Sequence, residues 1–356
     1  MTSDKYVGLD VHMATIVAAV HDSSGSCLME SIIQTRADAI RAFINGLSGT
    51  VHVTFEEGTH AAWLYELIKP LVAEIVVCNP RRNKLLSEGS KGDKIDANKL
   101  AHLLRANLLK TVYHVEHGTR ALKELAHSYD SLVMDSIRVM NRIKAIYRGR
   151  AIGCAGNGVY LNTRRGEWLE KLNEPGVKNR AELLYRELDL LKELRREARK
   201  ELIKESRRHK ASKLLEGVPG LGAVRAALII ATVVTPFRFR TKRQLWAYIG
   251  LAVVTKDSAE YEFEGARLHK RRRRPAATRG LNKNFNRRLK KAFKSAALDA
   301  IRTEPLKSYY QGLIQRGLRP ELARLNVARK LAAVVLSLWK RGEKFDQERL
   351  TNDIAA

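Results

Sequence analysis

The sequence predicts a multidomain chain: a mixed α/β domain in front, a helical middle and a mostly α-helical rear. Three observations predict it. In the first 110 residues, apolar runs of strand length alternate with segments of helical period. Beyond about residue 119, long stretches carry apolar residues three and four positions apart. The charge is also split. Residues 1–110 hold twelve Lys+Arg and twelve Asp+Glu, so the whole formal charge of +27 lies in residues 111–356.

The front elements follow in order. Val7–Val11, Thr15–His21 and Cys27–Gln34 read as strands, with Asp22–Ser26 as a hairpin turn rich in Ser and Gly. Ala37–Leu47 reads as a helix closed near Gly46. A strand over 51–56, a helix over 60–72, a strand over Glu74–Cys78 and a helix over 93–109 complete the domain. Three consecutive strands followed by helix–strand repeats match a ribonuclease H-like layout.

Two helices are expected next, over 119–150 and 180–210. In the second, Leu184, Leu188, Leu191, Leu194, Ala198 and Leu202 recur at helical steps among Lys, Arg and Glu. An antiparallel pair, and a dimerising coiled coil, is the natural reading. The rear begins near Leu214. Its Gly217-Val-Pro-Gly220-Leu-Gly222 segment resembles a helix-hairpin-helix turn, whose backbone N–H groups can hold a phosphate. An apolar helix over Ala226–Val234, a helix ending at Leu245–Gly250, a strand near Tyr261–Phe263 and a helix over 320–341 follow. The domains expected are 1–112, 113–212 and 213–356.

Composition narrows the function. A hydrophobic fraction of 45% implies a folded chain, and the basic excess implies a polyanionic partner. Cys27, Cys78 and Cys154 lie far apart, which excludes a common zinc module and a disulfide framework. No signal peptide or membrane-length apolar run is visible, so a cytoplasmic protein is expected, associated with the nucleoid when bound.

Four acids carry the chemistry. Asp10 ends the first strand, Glu56 or its neighbour Glu57 ends the fourth, and Asp93 and Asp96 open a helix three residues apart, on one face. Alternation from Val51, Val53 and Phe55 favours Glu56. Carboxylates gathered in this way suit a hard divalent cation, magnesium with manganese as second choice. The rear supplies grip. Arg267–Lys294 holds thirteen Lys+Arg and no acid. Lys270, Arg271, Arg272, Arg273, Arg274, Arg279, Lys283, Arg287 and Arg288 are the expected nucleic-acid contacts.

Gly8-Leu-Asp10-Val-His, Phe55-Glu56-Glu-Gly-Thr59 and Lys91-Gly-Asp93-Lys-Ile-Asp96-Ala, with Gly217–Gly222 and Phe239–Leu251 in the rear, resemble the IS-one-ten family of insertion-sequence transposases. These are DEDD-type recombinases related to the Piv invertases. The resemblance implies a RuvC-like front domain in which Asp10, Glu56, Asp93 and Asp96 bind magnesium. It also implies a coiled-coil insertion and a C-terminal transposase domain bearing a catalytic serine. By motif that serine is Ser258, followed here by Ala259 where the family often has glycine; Tyr261 is a rival nucleophile. Donor and target DNA and a structured guide RNA are the partners implied. If acids and serine lie in different domains, docking must assemble the site, so a homo-oligomer, dimer or tetramer, is expected. Two competing readings are a RuvC-like junction nuclease using water and a non-catalytic nucleic-acid-binding protein.

Overall fold

A computed structural model describes residues 3–80, 92–114, 119–256, 261–264, 267–270, 277–348 and 350–351. The chain separates into two compact units, Met1–His117 and Gly118–Ala356.

The first unit is built on a five-stranded sheet of β1 (Asp4–Val11), β2 (Thr15–His21), β3 (Cys27–Gln34), β4 (Thr50–Glu56) and β5 (Glu74–Cys78). The strand order is β3-β2-β1-β4-β5. The first three strands form an antiparallel meander, whereas β4 and β5 run parallel to β1. The β2–β3 turn closes where predicted: Asp22 Oδ1 accepts from the Ser24 hydroxyl and the Ser26 N–H, and Gly25 takes the left-handed conformation.

Strict alternation divides the sheet. Val7, Leu9, Ile16, Ala18, Val20, Val51, Val53 and Phe55 turn to one face and bury against helices α1 (Ala37–Asn45) and α2 (Ala61–Ile68). Helix α3 (Asp93–Arg105) lies on the other face, over β1 and β2, and buries Ala97, Leu100, Ala101 and Leu104. Its approach is unusually close. A Cβ built on Gly8 would stand 2.1 Å from the Ala97 carbonyl oxygen and 2.6 Å from the Ala101 nitrogen, so only glycine fits there.

Several helices end earlier than the sequence predicts. The one expected over 60–72 stops at Ile68 and tightens into a 3-10 turn at Lys69–Leu71, because Pro70 lacks an N–H and restricts Lys69. The one expected over 93–109 stops at Arg105, where Asn107 enters the left-handed region. Beyond it, the Asn79 N–H donates to Lys110 O and the Val112 N–H to Val77 O, stitching this segment along the free edge of β5.

In the second unit, α4 (Arg120–Arg148) and α6 (Pro175–Ser206) run antiparallel, with α5 (Arg165–Glu170) in the connection between them. Arg142 pairs with Glu187, Tyr147 with Tyr185 and Arg150 with Glu174, in that crossed order. One end of the pair closes over a core of Val139, Ile143, Tyr147, Trp168, Tyr185 and Leu188. The other end sends Leu122, Ala126 and Leu202 into a larger core. That core gathers α7 (Ala211–Glu216), α8 (Gly222–Val233), α9 (Lys242–Tyr248), α10 (Arg287–Ala300), α11 (Leu306–Gln315) and α12 (Pro320–Arg341). The last matches its predicted bounds. Two short antiparallel ladders join this helical unit: β6 (Val253–Lys256) with β9 (Ala277–Leu281), and β7 (Tyr261–Glu264) with β8 (Arg267–Lys270).

Replacing Gly8 by Ala should weaken the α3–β1 contact by about 1–3 kcal/mol, the usual cost of forcing extra atoms into a packed site. Hydrogen exchange in the full chain should show faster opening of α3 amides in Gly8→Ala. Gly58→Ala, where an added Cβ meets nothing within 4 Å, should leave them unchanged.

A candidate acidic metal centre

Strand register brings the first two acids together. Leu9 pairs with Phe55 in the parallel β1–β4 ladder, so Asp10 and Glu56 are the next residues on adjacent strand ends. The neighbours of Asp10 and Glu56 are core-facing, so both acids turn to the face that α3 covers. That helix begins at Asp93, and the Asp96 N–H donates to the Gly92 carbonyl at 2.8 Å in its first turn. The contact at Gly8 therefore fixes how near the start of α3 comes to the strand ends.

Burial and neighbouring charge both act on the two strand-end carboxyls. Partial burial pushes the Asp10 carboxyl above its ordinary range; Asp93 and Asp96 push the same way, and His12 opposes them. Burial also raises Glu56, with added repulsion from Asp10 and Asp96. Asp10 is thus harder to ionise because of burial, Asp93 and Asp96, and Glu56 because of burial, Asp10 and Asp96, a cost that a bound cation would offset.

His12 completes the cluster. Its Nε2 lies 3.2 Å from Asp10 Oδ2 and 3.6 Å from Asp93 Oδ2. One potential ligand atom from each of Asp10, His12 and Asp93 falls within 4.8 Å of the other two. A carboxylate-rich set with one imidazole suits magnesium or manganese by ligand chemistry. Sequence reasoning quoted His12 in a motif but gave it no role. The available signal was its spacing: residues two apart on an extended strand share a face, so His12 follows Asp10.

Glu57 is engaged elsewhere. Its carboxylate accepts from His114 Nε2, and its N–H donates to Cys78 O.

The other expected residues distribute as follows. Ser258 and Arg271, Arg272, Arg273 and Arg274 lie outside the described residues. Lys270 ends β8 and Arg279 sits in β9. Lys283 and Arg287 are exposed, the latter opening α10. Arg288 is tied down: its Nε donates to Asp130 Oδ2 at 3.0 Å and its Nη2 lies 3.3 Å from His127 Nδ1, which clamps α10 to α4. In the helix-hairpin-helix-like turn, Gly220 has φ +79° and its Cβ position lies 2.2 Å from Ala296 O, so the turn packs directly on α10. The Gly220 carbonyl accepts from Arg225, which also binds Asp299.

Three similarities to known proteins bear on this geometry. A DEDD-type family model described as "Transposase" matches residues 7–149. A second, described as "Transposase IS116/IS110/IS902 family", matches residues 212–311. An "Insertion element IS110 uncharacterized 43.6 kDa protein" from Streptomyces coelicolor is 30% identical over 139 residues, covering 39% of this chain and 31% of that relative. The match thus spans about a third of the relative's own length.

The raised carboxyls give a pH dependence with a definite sign. An acid whose folded pKa lies above its unfolded value contributes stability that is complete below about pH 4 and is lost as pH rises through the folded value. Relative to Glu56→Gln, the cation-free wild type should therefore lose thermal stability on going from pH 4 to 7. Magnesium at a hundredfold excess over its Kd should raise the wild-type Tm by roughly 5–10 °C, since that saturation is worth about 2.7 kcal/mol. The rise should vanish in Asp10→Asn and persist in Glu57→Gln; scanning calorimetry reads all four.

Proposed function

We propose, for a chain that belongs to the IS110 family of transposases, that it cuts and rejoins DNA strands at the ends of an insertion sequence. The observation that carries this reading is geometric: strand register sets Asp10 beside Glu56, and His12 lies within reach of both Asp10 and Asp93. The sheet order β3-β2-β1-β4-β5, with the acids at the ends of β1 and β4, supports a ribonuclease H-like, RuvC-like front domain. The antiparallel α4–α6 pair supports the coiled-coil insertion.

In this reading Asp10, Glu56, Asp93 and Asp96 hold magnesium, or manganese, and His12 orients Asp10 and Asp93. When bound, the cation supplies positive charge to a phosphate and to the departing oxygen. The chain's own part is to collect the carboxylates at the ends of β1 and β4 and the start of α3, where a bound cation would favour their ionised form. Ser258 takes the nucleophile's place by resemblance. Its Oγ forms a bond to phosphorus as the phosphorus–oxygen bond to one strand end breaks, and the serine proton passes to a base. A hydroxyl from a second strand end later displaces the serine and reseals the DNA. Serine is a weak nucleophile at neutral pH, so it needs such activation.

Lys270, Arg271, Arg272, Arg273, Arg274, Arg279, Lys283 and Arg287 neutralise phosphates of donor and target DNA, and Arg288 holds α10 in place for them. A structured guide RNA, a homo-oligomer of two or four copies, and a cytoplasmic, nucleoid-associated protein belong to the same proposal.

The test is a covalent-adduct trap in cells carrying the element. Ser258→Ala and Asp10→Ala should each lower the DNA adduct by at least about a thousandfold, the scale expected for losing a nucleophile or its activating group. Tyr261→Phe should keep it. Cleavage without any adduct, unaffected by Ser258→Ala, would instead establish a nuclease that uses water. Intact element mobility in Asp10→Ala would point to a non-catalytic binding protein.

A further inference from the structure

The second unit contains a cavity of about 770 Å³ between α9, the start of β6, α11 and α12. Its walls combine two aromatic rings, Trp246 and Tyr309, with four cations, Lys242, Arg243, Arg329 and Lys330. Among the described residues no carboxylate lines it, in contrast to the salt-bridged surfaces of α4 and α6. The size lies within the usual range for a small-molecule site.

Several details show that the walls are held in place. The Trp246 indole N–H donates to the Arg329 carbonyl at 3.0 Å, which fixes the ring. Arg329 spends its Nε on Leu251 O at 2.7 Å and its Nη1 on Asn326 Oδ1 at 3.2 Å. Its third nitrogen, Nη2, is buried and has no hydrogen-bond partner among the described residues. Burial also lowers the Arg329 pKa, the direction expected of a cation without a counter-charge. Lys242 lies over the Trp246 ring, 5.8 Å from its centroid, and remains exposed at the rim.

We propose that this cavity receives one unpaired nucleotide of a nucleic-acid strand, with its base against Trp246 and Tyr309 and its phosphate among Lys242, Arg243 and Arg329. Aromatic faces take any base by stacking, and the cations take the backbone. A duplex cannot enter, because its bases are paired and already stacked; a flipped or single-stranded nucleotide can. Ala252 and Val253 line the same cavity, so the pocket sits where the chain enters β6, five residues before Ser258 in sequence. The site would hold a strand locally melted while it is exchanged. It rests on the proposed nucleic-acid partnership, but on neither the serine nor the metal.

The experiment uses the full chain with a blunt duplex, a DNA duplex carrying a three-nucleotide gap with bromodeoxyuridine in the unpaired stretch, a matched RNA strand carrying bromouridine, and free nucleoside monophosphate. Ultraviolet crosslinking followed by peptide mass spectrometry should mark Trp246 or Tyr309 with the gapped DNA or the RNA, and not with the blunt duplex. Lys242→Glu with Arg243→Glu should lower the slope of log affinity against log salt by about 1.4 for the single-stranded substrate, at about 0.7 per lost phosphate contact. Trp246→Leu should weaken that substrate on the order of tenfold, with blunt-duplex affinity unchanged. Crosslinks only elsewhere, equal losses on duplex and gapped DNA, or saturation by the free monophosphate alone would overturn the proposal while leaving the transposase reading intact. Failure to bind any nucleic acid would sink both.

Discussion

The close contact between α3 and β1 at Gly8 is the constraint on which the acidic centre depends. A helix normally stands off a sheet by the length of its side chains. Here the absence of one Cβ lets the Ala97 and Ala101 backbone sit directly on the strand. Two residues further along β1 stands Asp10, and one turn before Ala97 stands Asp93. Four carboxylates from two strands and a helix can interact only because this spacing is short. Small residues, Ala19 on β2 and Ala97 on α3, line the same contact, so the packing is consistent along its length.

The centre is also an example of local conflict within an otherwise consistent fold. Elsewhere among the described residues of the first unit, several acids have basic partners: Glu74 meets His52, Glu30 meets Lys94, and Glu57 meets His114. At the end of β1, Asp10 and Asp93 are placed near one another, with His12 within reach of both. Folds tolerate such conflict where function requires it. The remainder of the unit, with its continuous apolar core beneath the sheet, supplies the stability against which this repulsion is set.

Much of the architecture was legible in the sequence because its signals are local. Strands β2, β3 and β5 and helix α12 fall at their predicted bounds, since period, turn residues and flanking glycines all agree there. The face of Glu56 could be read from the alternation of Val51, Val53 and Phe55. What escaped was set by partners distant in sequence. The clamp from Arg288 to Asp130 spans 158 residues, so Arg288 reads as one more surface cation until α4 and α10 are brought together. Gly8 reads as a strand residue of low propensity, and only the helix above it explains its presence. The two β ladders of the rear were half hidden among arginines, where charge masks the alternation that announces a strand.

The long pair α4 and α6 runs from one core to another without interruption. At 1.5 Å per residue the 29 residues of α4 measure about 43 Å. A rod of that length, gripped at its base, is a lever. A tilt of about 5° at Leu122 and Ala126 would sweep the Trp168 end through roughly 4 Å, about the spacing of neighbouring base pairs. Small adjustments among the helices of the large core are thereby magnified into displacements on the scale of nucleic acid, with no hinge required in between.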